Sequence, residues 1–123
     1  MRVIMFQPRF QAAVAAGTKN QTIRPKARCK PGDELSLRKW KDKPYRSLQL
    51  PLRDTVRCSA VQAVRIFPDI WVGGGFHILL DEQPVADLDA FAKADGFKNE
   101  DDMRDWFEST HELPFEGELI KWK

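Results

Sequence analysis

The stretch Gly17-Thr18-Lys19-Asn20-Gln21-Thr22-Ile23-Arg24 places a primary amine, a hydroxyl and a guanidinium within eight residues. A lysine whose charge is suppressed by burial can take a proton from a hydroxyl, and a threonine relieved of that proton attacks carbonyl carbon. A guanidinium beside them offers a rigid fork for an anion or for charge developing in a transition state. Geometry decides whether the three meet. Side chains alternate along a strand, so Thr22 and Arg24 share a face while Lys19 and Thr22 face opposite ways. They converge only if Lys19 sits in a turn ahead of the strand. The same spacing also fits an ordinary strand entry with its charges in solvent, and spacing alone leaves both readings open.

The flanking elements bear on that choice. Residues 2–6 are β-prone, and Pro8 suits the first turn of a helix, where its missing N–H costs nothing. Phe10, Ala13, Val14 and Ala16 follow at helical spacing, and Gly17 is a natural terminator. A helix ending at Gly17 leaves Lys19 in the connection before a strand over Asn20–Arg24. Beyond it, Pro25 to Lys30 is a basic loop in which Lys26, Arg28 and Lys30 suit phosphate binding. Pro31-Gly32-Asp33 signals a turn before a strand at Leu35–Arg38.

From Trp40 to Leu52 the chain is rich in Lys, Arg and Pro and reads as an exposed excursion or irregular hairpin. Trp40 and Tyr45 lie there beside Lys39, Lys41 and Lys43, where an exposed aromatic can stack on a base. A long strand spans Thr55–Ile66, with a parity switch near Ala60–Val61 that points to a bulge. Gly73-Gly74-Gly75, near Trp71, reads as a turn, since no Gly-Lys-Ser/Thr follows to make a phosphate loop. A strand is expected over Phe76–Leu80. Asp87 and Asn99 then cap two helices, the first ending before Gly96 and the second burying Met103, Trp106 and Phe107. Glu118–Trp122 closes the chain as a strand. The expectation is a single α+β domain over residues 1–123, a mixed β-barrel with about three helices packed around it.

Composition sets the partner class. Residues 1–67 carry 15 Lys/Arg against 4 Asp/Glu, net +11, whereas residues 68–123 carry 5 against 14, net −9. A one-sided basic field attracts phosphates, which points to a nucleoside, nucleotide or RNA partner. No run approaches the about 20 apolar residues that span a bilayer, and the short apolar N-terminus lacks the form of a signal peptide. Cys29 and Cys58 make no CxxC pair and suit a reducing compartment, so a cytoplasmic protein without membrane contact is expected. His77 and His111 lack metal-ligand spacing, and no metal or cofactor is implied.

The blocks Phe6-Gln7-Pro8-Arg9-Phe10, Ala16 to Arg24 and Lys30-Pro31-Gly32-Asp33-Glu34-Leu35 resemble the ASCH family, a branch of the PUA-like barrels. Ala94-Asp95-Gly96-Phe97 resembles that family's Glu-Gly-Phe element, and Gly117 to Trp122 its final strand. The resemblance implies a PUA-like barrel whose cleft faces a nucleoside or RNA. Some small bacterial members are amidohydrolases that remove the acyl group from N4-acetylcytidine with a lysine, a threonine and a glutamate. By position these fall on Lys19, Thr22 and Asp95, the last one methylene shorter than the family's residue. The mechanism that follows has Lys19 deprotonate Thr22, Thr22 attack the amide, Asp95 protonate the departing N4, and Arg24 steady the oxyanion. Lys26, Arg28 and Trp40 would bind the substrate's phosphates and base. Two other activities fit the family: a non-catalytic RNA-binding module, and a metal-independent ribonuclease in which Lys19 and Arg24 stabilise the phosphoryl transition state.

Overall fold

The computed structural model describes residues 2–67 and 77–123, with the side chains of Asp54 and Thr55 left aside. Trp71, Gly73-Gly74-Gly75 and the start of the strand expected from Phe76 lie outside the described residues. The chain forms strand β1 (Arg2–Met5), helix α1 (Pro8–Ala16), strands β2 (Gln21–Arg24), β3 (Glu34–Trp40), β4 (Gln49–Phe67), β5 (His77–Leu80) and β6 (Gln83–Pro84), helices α2 (Leu88–Ala94) and α3 (Glu100–Thr110), and strand β7 (Phe115–Trp122). This is an α+β fold with three helices and a mixed sheet.

The sheet is organised by β4, which at 19 residues is long enough to serve two neighbours in succession. Its first part runs antiparallel to β3, with Leu35 opposite Val56 and Trp40 opposite Gln49. Its second part runs antiparallel to β7, from Cys58 opposite Trp122 to Ile66 opposite Phe115. A register shift between Cys58 and Ala60 marks the handover, close to the bulge that the parity of the sequence foretells. β1 lies parallel to β3, and β2 antiparallel to β7 with Thr22 opposite Ile120. β5 and β6 extend the other edge of β4.

The expected closure into a barrel is not found. Among the described residues β1 pairs only with β3 and β2 only with β7, so a seam stays open between them. A side chain crosses it: the Arg24 guanidinium donates to the Met5 carbonyl at 2.8 Å. The core fills the concave side, with Ile4, Phe6, Phe10, Val14, Leu35, Leu37, Val64, Ile66, Met103, Phe107 and Ile120 all buried.

Local chemistry explains the helices. Pro8 sits in the first turn of α1. Asp87 accepts from the Ala90 N–H, and Asn99 from the Asp102 N–H, each at 2.9 Å. Glu100, Asp101 and Asp102 occupy the first turn of α3, where carboxylates suit the helix dipole. Two boundaries differ from the sequence reading. The basic excursion is a hairpin turn of 41–48 between β3 and β4, because Leu50 and Leu52 alternate with Gln49 and Pro51 at strand period. β7 begins at Phe115, three residues early, because Phe115 continues the pairing with Ile66.

Gly117 is required by close approach. A Cβ there would stand 2.6 Å from the Arg24 carbonyl and 2.8 Å from the Phe115 ring. Gly117→Ala should therefore pry the end of β2 from β7 and lower stability by about 1–3 kcal/mol, the usual range for overpacking. Urea denaturation checks it, and an unchanged midpoint would show that the strands give way without cost.

Candidate functional site

Two helix ends deliver the charged groups. At the end of α1, Gly17 adopts φ 82°, its N–H donates to the Val14 carbonyl and the Thr18 N–H to the Ala13 carbonyl. That pairing is a Schellman arrangement, which stops the helix and turns the chain. Lys19 follows in the connection before β2, the placement its spacing required. At the end of α2 the pattern repeats, with the Gly96 N–H on Lys93 and the Phe97 N–H on Ala92. The two exits are tied together, since the Asn20 N–H donates to the Ala94 carbonyl at 3.3 Å.

Lys19 is buried, 2% exposed. Its Nζ donates to the backbone carbonyl of Asp95 and stands 3.6 Å from the Asp95 carboxylate Oδ1. The amine also lies 4.8 Å from the centre of the Phe10 ring, an added cation–π contact. Burial brings the Lys19 pKa down to about 8, against the opposing pull of the Asp95 charge. Burial likewise pushes the Asp95 carboxyl up to about 6, against Lys19 and a hydrogen bond from Gln21. That bond, Gln21 Nε2 to Oδ1, is long at 3.5 Å. The two groups are therefore poised on either side of neutrality.

Thr22 is buried, and its Oγ1 accepts from Arg24 Nε at 3.2 Å. The shared face expected of Thr22 and Arg24 is thus seen. Thr22 makes no hydrogen bond with Lys19; the amine is turned toward Asp95. All four side chains nevertheless line one cavity of about 200 Å³, together with Met5, Gln7, Ile23 and Pro25 along the open seam. Its far wall is aromatic, built from Phe10, Phe97, Trp106 and Phe107 with His111. The Phe10 and Phe97 rings stand 5.3 Å apart, and Trp106 packs edge-on to Phe107 at 4.9 Å. The volume is below the about 300–1,000 Å³ of drug-sized sites, so it suits a single base-sized group and not a polymer.

The other residues singled out from sequence lie elsewhere. Lys26 is exposed on the loop after β2 and does not line the cavity. Arg28 is exposed and borders a separate hollow with Arg2, Asp33 and Glu34. Trp40 faces a neighbouring concavity. Sequence reasoning passed over Gln21, a glutamine beside the candidate nucleophile that looks like a solvent-facing strand residue. The Trp106 assigned to the core is partly buried against it and also forms part of the cavity wall, which the sequence did not signal. Among the described residues no group of His, Cys, Asp and Glu could hold a metal ion, and no helix is long and apolar enough to cross a membrane. Comparison of the chain with family models, with curated proteins and with solved structures finds no match.

The buried pair has a consequence for stability. Lys19 titrates near 8 folded and 10.5 unfolded, so the native state pays for its charge below pH 8 and is relieved as pH rises toward 10.5. Asp95 titrates near 6 folded and 3.8 unfolded, so its penalty builds between those values and is complete above 6. Both penalties coincide between pH 6 and 8. Replacing the pair by Lys19→Met with Asp95→Asn should raise stability at pH 7 by about 1–4 kcal/mol, as seen when buried ion pairs give way to neutral side chains. The gain should shrink at pH 4 and at pH 10, read by urea denaturation at each pH. A double variant less stable than the parent at pH 7 would make the pair a structural clamp.

Proposed function

We propose that the chain is an ASCH-type, PUA-like domain that hydrolyses the acyl amide of N4-acylated cytidine. One observation carries the reading: a buried amine, a buried carboxyl, a threonine hydroxyl and a guanidinium line a single base-sized cavity with an aromatic wall. The wall suits a planar heterocycle, since every base offers a π-face to stack on. The open seam serves as the mouth, where a closed barrel would leave no entry.

The chemistry follows from the protonation of the pair. Neutral Lys19 takes the proton of Thr22, whose oxygen forms a bond to the acyl carbon. Arg24, already donating to Thr22 Oγ1, meets the negative charge that develops on the carbonyl oxygen of the acyl group. The C–N4 bond then breaks, protonated Asp95 gives its proton to N4, and cytidine departs. Water attacks the acyl-threonine ester, releases the carboxylic acid and restores the hydroxyl. The amine rests on Asp95; catalytic contacts of this kind tighten onto the nucleophile when substrate is in place. No metal or cofactor enters.

Exposure of Lys26 and Arg28 outside the cavity favours a second reading, a domain that grips RNA phosphates without turnover. The two readings separate on substrate. Incubation with N4-acetylcytidine should give cytidine, followed by its ultraviolet shift, and Thr22→Ala should abolish release. Full activity in that variant, or none in the parent, removes the hydrolase assignment.

The pH profile of kcat/KM should be a bell centred near 7. The reactive form has one proton on the Lys19–Asp95 pair, whose groups titrate near 8 and 6, and the two limbs belong to the pair jointly. Asp95→Asn should remove the alkaline limb and leave the rise set by deprotonation of Lys19, and a flat profile from pH 5 to 9 would dismiss the pair as the proton donor and acceptor.

Gly96→Ala should impair turnover as well. Gly96 has φ 94°, and a Cβ on it would stand 2.9 Å from Lys19 Cδ and 3.2 Å from Phe10. The strained backbone and displaced lysine should lower kcat by on the order of 100-fold, the scale of an ångström's misplacement. Steady-state rates on the nucleoside read it directly.

A further inference from the structure

The 41–48 hairpin holds the two large apolar side chains that are most exposed among the described residues, Tyr45 at 89% and Leu48 at 70%. Tyr45 is not a loose ring at a loop tip. Its backbone sits at φ 63°, a conformation unfavourable for an aromatic residue. A local network holds it there: the Lys41 N–H bonds the Leu48 carbonyl, the Arg46 N–H the Lys43 carbonyl, and Ser47 Oγ joins the Asp42 N–H to the Lys43 carbonyl. Backbone strain retained in an ordered turn points to a use for the side chain it presents.

The ring is paired with Trp40, centroids 5.2 Å apart and planes tilted by 48°. The two border a concavity of about 350 Å³ whose floor includes Met5, Phe6 and Gln7. Met5 and Gln7 also line the Lys19–Thr22–Asp95 cavity, so the two hollows are neighbours that share a wall. The hairpin also carries Lys41, Lys43 and Arg46, which form no ion pair among the described residues; none of them lines the hollow, whereas the acid Asp42 does. Paired rings on a hairpin that also carries three cations suit a ligand that is planar and apolar in one part and anionic in the next.

We infer that the Trp40–Tyr45 hollow is a stacking subsite for the base next to the acylated cytidine in single-stranded RNA. Its linking phosphate is met by the lysines of the hairpin, so the substrate is an oligonucleotide and not the free nucleoside. The inference rests on the hydrolase reading of the first cavity and names the substrate class of that site. The position of Trp40 outside the first cavity is then its proper place, one nucleotide along the strand.

The test compares kcat/KM on N4-acetylcytidine with that on a trinucleotide carrying N4-acetylcytidine between two adenosines. The parent should prefer the trinucleotide by on the order of tenfold, the gain from one stacked base. Tyr45→Ala should lose that preference and leave the nucleoside rate unchanged. Equal rates on the two substrates in the parent, or a preference that survives Tyr45→Ala, overturn the subsite. Hydrolysis of neither substrate would overturn the hydrolase reading instead. The subsite is then decided by titrating the parent and Tyr45→Ala with the unacylated trinucleotide and following tryptophan fluorescence. About tenfold weaker binding in the variant upholds it, and equal binding, or none in the parent, overturns it.

Discussion

Burying the Lys19 amine constrains everything around it. An ammonium group in a protein interior is costly unless hydrogen-bonded and paired. The chain answers with one residue twice, since Asp95 offers both its carbonyl and its carboxylate. That double contact requires two helix ends to meet, because Lys19 follows α1 and Asp95 closes α2. Both helices stop at a glycine for that reason, and the backbone bond from Asn20 to Ala94 fixes the junction. Gly96 leaves room for the aliphatic stem of the lysine, which a methyl group would strike. The Phe10 ring covers the remaining side.

The open seam follows from the same demand. A backbone ladder between β1 and β2 would complete the sheet but would close the gap beside which Met5, Gln7 and Pro25 line the cavity. The Arg24 guanidinium spans the gap instead, holding Met5 on one side and Thr22 on the other while lying over Phe6 at 5.2 Å. One arginine thus replaces a row of backbone bonds, and the unpaired edge becomes a rim. The sheet pays for access with one missing strand pairing.

Local demands were legible in the sequence and distant ones were not. Pro8, Gly17, Asp87, Gly96 and Asn99 each answer a backbone requirement within a turn of themselves, so their roles could be read without knowing the fold. The turn position of Lys19 followed from Gly17 alone. The start of β4 was hidden because Pro51, which has no N–H to give a ladder, argues against a strand although Leu50 and Leu52 alternate at strand period. Closure of the sheet depends on whether β1 and β2 pair, and no local pattern reports that. Helical spacing marks Trp106 as belonging to an apolar face, but not whether that face meets the core or the wall of a cavity. Gln21 gave no signal, since a polar residue next to a threonine in a strand is the ordinary solvent pattern.

The aspartate at 95 has a physical rationale within this site. A longer carboxylate could reach past the amine into the cavity, whereas Asp95 stops against Lys19 and Gln21. Its carboxyl and the amine then behave as one acid–base unit with a single proton to place near neutrality. A ligand in the cavity would displace the remaining solvent and disfavour separated charges further, which shifts that proton from nitrogen to oxygen. On the hydrolase reading we propose, the amine so freed would serve as the base for Thr22, and the acid so formed as the donor to a departing amide nitrogen. Binding and activation are then a single event, set by how completely the occupant fills a hollow of base size.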